Sequence, residues 1–287
     1  MNKKKIFEES VVVIGPVGVG KSLISRGLSK STGMPVFCLD MMAHCPHDVS
    51  KIEDRKLHLN RRLLQLEEML ESDDLSEKEI VQISMSIKET RNEIWVCESQ
   101  IEMRKRWPDL PNYEDLGFKG EVSNFIRQKF GPEAAFYYRK QFECKLLRSV
   151  AEKITEPCII DVGGGMPVIL EDECKKLDEQ ARAFDEKLYL EHFDLSVLNF
   201  EHIQKSLKPF KNVVELKLPA NYKDTMEKAS RNSRFNDEYI ESGCFEKLAT
   251  QTVEVGGIVE GGKADEEKLD NKVKEIEKKC QIDVSVR

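Results

Sequence analysis

One segment near the N-terminus constrains this chain more than any other, because it matches the pattern G-x-x-x-x-G-K-[ST] at every position: Gly15-Pro16-Val17-Gly18-Val19-Gly20-Lys21-Ser22. It follows the β-branched run 11–14 and precedes a helix-prone stretch from about 21 to 31. Glycines allow a tight turn whose amides converge on an anion at the positive end of a helix dipole. The pattern predicts a phosphate-binding loop, with Lys21 directed at the β- and γ-phosphates and Ser22 at Mg²⁺. The alternative is a glycine-rich connection without a ligand.

The order of the predicted strands and helices indicates an α/β fold. Apolar runs typical of buried strands in a parallel sheet occur at 11–14 and 158–161, and further strands are predicted at 35–40, 213–218 and 252–255. Helix-prone stretches alternate with them, and two further helices are predicted at 136–153 and 265–279. This alternation predicts a mostly parallel sheet with helices on both faces, in three layers.

A charged, helix-prone segment interrupts this pattern from about 49 to 106. Its apolar residues recur at helical spacing in two stretches, which the polar turn 72–76 separates. We therefore expect an inserted antiparallel helical hairpin at 48–107, and a P-loop core formed by 1–47 and 108–287. The apolar stripes are compatible with packing alone, with shaping an acceptor pocket, or with a homodimer formed through the hairpin.

Composition narrows the class of partner. The chain has 45 basic and 52 acidic residues, a net charge of −7, which argues against nucleic acid as the main partner. No apolar stretch is long enough to span a bilayer, and no secretory leader is apparent, so we expect a cytoplasmic protein without a membrane partner. Its eight cysteines form no C-x-x-C pair and are expected to be reduced.

Two acids follow predicted strands and are candidates for chemistry. Asp161 ends an Ile-Ile strand and is expected to hold Mg²⁺ together with Ser22, the alternative being a carboxylate that caps the turn. Asp40 ends the strand predicted at 35–40, where ligands of open α/β sheets collect. There it would orient or deprotonate an acceptor hydroxyl, the alternative being an N-cap of the next helix.

A short loop just beyond Asp40 has the chemistry of a zinc site, with His44 and His47 flanking Cys45. No second pair of ligands stands out elsewhere in the sequence, and Pro46 favours a plain loop that leads into the hairpin. We therefore expect no zinc at this position.

The strand–loop–helix unit with its Gly15–Ser22 motif, Asp40 after the second strand, and Ile159-Ile160-Asp161-Val162-Gly163-Gly164-Gly165 resembles the shikimate kinases and their nucleoside-monophosphate-kinase-like relatives. The F-R-x-x-E motif of that family is similar to 138–143, with the acid Glu143 one place late. The arginine-bearing lid is similar to the segment that contains Arg231 and Arg234. The likeness covers roughly 8–47 and 117–280, and Cys38 stands where the family usually has the first acid of D-x-D.

This resemblance implies an ATP- and Mg²⁺-dependent kinase that transfers a γ-phosphoryl group to a hydroxyl of a small-molecule acceptor. It implies catalytic roles for Lys21, Asp40 and Arg234, and ATP contacts from the loop and Arg231. It implies acceptor contacts from Asp40, Arg139, Gly163, Gly164 and Gly165. For Arg139 the alternative is a surface ion pair with Glu143, for the triple glycine a flexible turn, and for the two lid arginines a solvated helix face.

Other functions stay open at this point. Within the kinases, a nucleotide or nucleotide-sugar acceptor is an alternative to a shikimate-like one, and the long hairpin favours an acceptor other than shikimate. An ATP- or GTP-driven switch that moves the hairpin is a second class. A nucleotide-binding module with a structural role is a third, which the intact Lys21, Ser22 and Asp161 argue against.

Overall fold

The computed structural model describes residues 2–16, 18–71, 75–163, 176, 179–180, 182–183, 200–218, 242–256, 259–260 and 263–282. The helices in these ranges are α1 (Lys3–Glu9), α2 (Lys21–Thr32), α3 (Leu39–Met42), α4 (Val49–Leu70), α5 (Glu77–Arg106), α6 (Gly120–Phe130), α7 (Pro132–Lys153), α8 (Phe200–Leu207), α9 (Cys244–Leu248) and α10 (Glu266–Cys280). The strands are β1 (Val11–Ile14), β2 (Val36–Cys38), β3 (Ile159–Asp161), β4 (Asn212–Lys217), β5 (Gln251–Glu254), β6 (Val259–Glu260) and β7 (Lys263–Ala264).

Five strands form one parallel sheet in the order β2-β3-β1-β4-β5. Strand β1 lies at its centre, and all four of its residues are buried. Asp161 is in register with Val13 on one side and with Cys38 on the other. Because parallel strands end at the same edge, the Gly15–Ser22 loop, Cys38 and Asp161 meet there. The predicted α/β class with a parallel sheet is confirmed.

Alternate residues of the strands belong to two separate apolar cores, one on each face of the sheet. Val12 and Ile14 pack with residues of α5, α7 and α8 on one face. Val11 and Val13 pack with residues of α2 and α10 on the other. Helices therefore cover both faces, which is why the central strand β1 is apolar throughout. Strands β4 and β5, nearer one edge, include polar residues such as Glu215 and Glu254.

Helices α4 and α5 occupy the charged segment 49–106 and pack against each other. The Asp48 side chain caps α4 by accepting a hydrogen bond from the Ser50 amide, and Ser76 with Glu79 forms a capping box on α5. Their ion pairs run antiparallel: Glu53 with Lys105, and Glu67 with Arg91. At the base of the pair, Ile52, Leu59, Cys97 and Met103 belong to the same core as the sheet. The division into an insert and a core domain stays a prediction.

Several element boundaries differ from the prediction. The strand expected at 35–40 ends at Cys38, and the chain turns at once into α3. Asp40 therefore lies in the first turn of a short helix. The prediction that it ends the strand is wrong. Helix α7 begins at Pro132, because proline suits a first helical turn, earlier than the predicted 136. The short helices α1 and α6 were not predicted.

Two further expectations concern composition. None of the described helices combines the length and the apolar character that crossing a membrane requires. Seven cysteines lie in the described ranges, and all seven are buried free thiols: Cys38, Cys45, Cys97, Cys144, Cys158, Cys244 and Cys280.

Candidate functional site

The Gly15–Ser22 loop connects the central strand to the start of α2. Gly15 lies so close to β4 that a Cβ atom on it would be 2.7 Å from the Leu216 carbonyl oxygen. Gly20 caps α2 with a φ of 95°, a left-handed conformation that glycine adopts without strain. Within the described ranges, the amides of Gly18, Gly20 and Lys21 donate to no protein acceptor. They are free to bind an anion. Val17 lies outside the described residues.

Lys21 is the first residue of α2, and its side chain is buried against the loop. Its ammonium donates hydrogen bonds to the carbonyl oxygens of Gly15 at 3.0 Å and of Pro16 at 2.8 Å. Burial lowers the pKa of Lys21, and the negative charges of Asp161 and Asp40 oppose this shift. Two of its three N–H groups are thus used within the loop, which leaves one for a phosphate oxygen.

Ser22 and Asp161 form the contact that joins the loop to β3. The Ser22 hydroxyl donates to Asp161 Oδ2 at 2.9 Å, and Asp161 is only 4% exposed. Burial raises the pKa of Asp161 to about 6, although the Lys21 charge and the Ser22 hydrogen bond favour the ionised form. A hydroxyl and a carboxylate are oxygen ligands of the kind that Mg²⁺ prefers, so this pair fits a magnesium ion.

Cys38 lies directly beside Asp161 on the neighbouring strand. Burial, together with the charge of Asp161, raises the pKa of Cys38 to about 12. The side chain is therefore a neutral thiol near neutral pH, and a thiol is a poor ligand for Mg²⁺. Of the two strand ends that face each other here, only β3 supplies an oxygen ligand.

Asp40 and Gly163 come together at the same edge of the sheet. A Cβ atom on Gly163 would be 2.6 Å from Asp40 Oδ1, so only glycine allows the carboxylate this position. Asp40 is exposed, so its carboxylate is accessible from solvent. Gly164 and Gly165 lie outside the described residues.

Arg139 belongs to a polar cluster beside Asp40. Its Nε lies 3.4 Å from Glu143 Oε1, and the two side chains are 48% and 11% exposed. The ion pair predicted as the alternative is present, but its carboxylate is buried, so it is not a surface pair. Burial disfavours the charge of Arg139, yet Glu143, Tyr113 and Asp40 outweigh burial and raise its pKa. Arg139 thus presents a fixed positive charge close to Asp40.

The remaining candidates are the two lid arginines and the two histidines of the loop 44–47. Arg231 and Arg234 lie outside the described residues. His47 Nε2 pairs with Asp115 Oδ2 at 2.6 Å, whereas the His44 ring packs edge-on against Tyr113 and Phe118. The described part of the chain contains no cluster of three or more histidine, cysteine, aspartate or glutamate side chains that could hold a metal ion.

Over 37 residues the chain is 63% identical to a shikimate kinase of Leptospira borgpetersenii serovar Hardjo-bovis (strain JB197). The matched stretch is 13% of this chain and 21% of that enzyme, so the match spans about a fifth of its relative. No protein-family model matches the chain, and no solved structure is significantly similar to it. Together with the parallel sheet, this match supports a P-loop kinase-like fold at most.

Sequence reasoning missed two residues of this region. Arg26, one helical turn beyond Ser22, stacks its guanidinium 3.3 Å from the ring centroid of Trp95 on α5. Burial lowers the pKa of Arg26, and the negative charge of Asp161 opposes that shift. The guanidinium therefore interacts electrostatically with the candidate metal ligand. The i+4 spacing from Ser22 was an available signal for Arg26. Tyr113 is buried close to Arg139 and Glu143. It lies outside every recognised motif, so no sequence signal pointed to it.

Proposed function

We propose that this chain is an ATP-dependent small-molecule kinase that transfers the γ-phosphoryl group of ATP to an acceptor hydroxyl. One observation supports this most directly: the Ser22–Asp161 hydrogen bond of 2.9 Å, next to the buried ammonium of Lys21. A glycine-rich connection without a ligand has no need to bury a lysine and a carboxylate together, because burying charge is costly.

The loop and the start of α2 would bind the nucleotide. The amides of Gly18, Gly20 and Lys21 would contact phosphate oxygens, and the Lys21 ammonium would neutralise the charge of the β- and γ-phosphates. Ser22 and Asp161 would hold Mg²⁺, which would supply positive charge to neutralise the phosphates. Because these groups are positioned before binding, catalysis would consist mainly of orientation and charge neutralisation.

Asp40, Arg139 and Gly163 would form the acceptor side. Asp40 would accept the proton of the acceptor hydroxyl. The hydroxyl oxygen would then bond to the γ-phosphorus while the bond between that phosphorus and the β–γ bridging oxygen breaks, leaving ADP. Arg139 would bind an anionic group of the acceptor, since a guanidinium offers paired donors in a fixed geometry. Arg231 and Arg234 are proposed, from the resemblance alone, to close over the nucleotide.

Thermal unfolding with ligands tests this proposal. Mg²⁺ with a non-hydrolysable ATP analogue should raise Tm, by the equivalent of about 2.7 kcal/mol at 100 times Kd. Shikimate, nucleosides, nucleotides, nucleotide sugars and sugar phosphates are then added in turn to that complex. A further rise with one acceptor class, followed by detection of its phosphorylated product with ATP, would support the kinase. No shift with any nucleotide would refute it.

A second candidate is an ATP- or GTP-driven switch that acts through α4 and α5. The contact between Arg26 and Trp95 favours it, because the contact links the helix that follows the loop to the helical pair. Product analysis separates the two functions. A switch releases free phosphate with nucleotide alone, whereas a kinase requires the acceptor.

A further inference from the structure

The helical pair formed by α4 and α5 carries an exposed apolar surface. Every exposed large apolar side chain within the described ranges lies in this pair, and the exposed fractions run from 36% to 60%: Leu57, Leu64, Met69, Leu70, Ile80, Val81 and Met85. Soluble monomers seldom concentrate exposed apolar side chains in one place, and such patches mark interaction sites. This surface therefore points to a protein partner.

On α4 the exposed leucines lie opposite the contact with α5. Leu59 is buried and Leu66 is half-buried. Leu57 and Leu64 each precede one of these by two residues, which is about 200° around a helix. Leu57 and Leu64 are themselves two turns apart and share one face. They are not needed for the packing of α4 on α5.

The same outer face of α4 carries the oppositely charged residues Arg61 and Glu68 on either side of Leu64. Arg61 follows Leu57 by one turn, and Glu68 follows Leu64 by one turn. Both are exposed, and within the described ranges neither makes an ion pair, unlike Arg55 with Glu93 or Glu67 with Arg91. An unpaired cation and an unpaired anion with a leucine between them form a self-complementary pattern.

We propose that this face of α4 binds the same face of a second copy of the chain, with the two α4 helices antiparallel. A two-fold axis near Leu64 places Arg61 of each copy beside Glu68 of the other, so two ion pairs flank a central contact between the two Leu64 side chains. A parallel pair in register would bring like charges together. The charge pattern thus selects a homodimer of this one orientation.

Sedimentation of the 287-residue chain across the micromolar range tests the proposal. Leu64→Glu should abolish the dimer, because it places a charge at the centre of an apolar contact. Arg61→Glu and Glu68→Arg should each weaken association by about tenfold or more, because each turns two attractive pairs into repulsive ones. The double variant Arg61→Glu with Glu68→Arg should restore it, since the exchanged charges again face opposite charges across the axis.

Lys51→Glu is the matched control: a charge reversal at an exposed position ten residues earlier on α4, about 15 Å from Arg61. It should leave the dimer unchanged. Circular dichroism of every variant shows whether α4 is still folded. The proposal would be overturned if the wild-type chain stayed monomeric throughout the concentration range. It would also be overturned if the double variant dimerised no more strongly than the single variants. Neither outcome depends on the kinase activity.

Discussion

The hydroxyl of Ser22 and Oδ2 of Asp161 are 2.9 Å apart, although 139 residues separate them in sequence. The contact exists because β1 and β3 are parallel neighbours, so the loop after one strand meets the end of the other. It brings two oxygen ligands together at the start of α2, beside the ammonium of Lys21. The price of this arrangement is a carboxylate held almost out of water.

Asp161→Asn should stabilise the fold near neutral pH while removing Mg²⁺-dependent nucleotide binding. The folded pKa of Asp161 is raised from 3.8 to about 6, so the unfolded chain releases this proton first as pH rises. Stability is therefore lost between these two pH values and stays lower above them. The pKa shift corresponds to about 3 kcal/mol of unfolding free energy. Asp161→Asn should be more stable than the wild type by about this amount above about pH 6, and equally stable below about pH 4. Urea unfolding at both pH values measures this.

Asp115→Asn is the control, because it should change the stability near neutral pH in the opposite direction. Burial acts to raise the pKa of Asp115, but hydrogen bonds from the Asn112 amide and His47 outweigh burial and lower it. Its stabilising effect is present near neutral pH and is lost as pH falls through its lowered pKa. Asp115→Asn should therefore destabilise the protein near neutral pH and have little effect in acid. Equal effects of the two substitutions would contradict this account.

Lys21→Ala should leave the protein folded and lower phosphoryl transfer by about 10²–10³, the usual cost of one preorganised donor at a transition state. The Lys21 ammonium lies within the loop, so its loss removes charge where phosphates would bind. Calorimetric titration with the Mg²⁺–ATP analogue should show weaker binding as well. Lys30→Ala, an exposed lysine near the end of the same helix, should match the wild type in both measurements. Unchanged turnover in Lys21→Ala would defeat the nucleotide-site assignment.

Gly163→Ala should change acceptor-dependent turnover much more than stability. The added methyl would be 2.6 Å from Asp40 Oδ1, and the exposed Asp40 side chain can rotate away from it. We expect a stability loss under about 1 kcal/mol, as for most substitutions that strain no core contact, with a clear fall in kcat. Asp40→Asn should lower turnover similarly, and the two effects should not add, since both remove the same carboxylate position. Additive losses would show that Gly163 acts elsewhere.

Much of the sheet could be predicted, because strands buried on both faces are apolar throughout. The run 11–14 and the Ile159–Asp161 strand were found for this reason. The role predicted for Ser22 and Asp161, holding Mg²⁺ together, stays a prediction. The two long helices were found because their apolar residues recur at helical spacing. Capping residues at Asp48 and Ser76 then fix where these helices begin.

What could not be predicted depends on contacts distant in sequence. The turn of the chain at Leu39 results from packing of Leu39 and Met42 in the core, which local propensity does not reveal. Tyr113 reaches Arg139 and Glu143 only because the segment after α5 folds back against α7. The stacking of Arg26 on Trp95 likewise depends on how α5 lies against α2. The spacing of Arg26 from Ser22 could have marked Arg26 as a candidate, but the partner of each of these residues could not be read from a single sequence.

Arg26 and Trp95 should be energetically coupled in the free energy of unfolding. Their stacking predicts about 0.5–2 kcal/mol of interaction, because a guanidinium over an indole ring is a favourable cation–π pair. Trp95→Ala, Arg26→Ala and the double variant, compared by urea unfolding, form the cycle. Pairing Trp95→Ala with Arg106→Ala is the control: Arg106 lies eleven residues, about 16 Å, further along α5 and binds Glu102 and Glu156, so these effects should add. Trp95→Phe should keep part of the coupling, since phenylalanine retains an aromatic face. If the Arg26 cycle is also additive, the contact between α2 and the helical pair contributes nothing to stability, and the switch function loses its structural support.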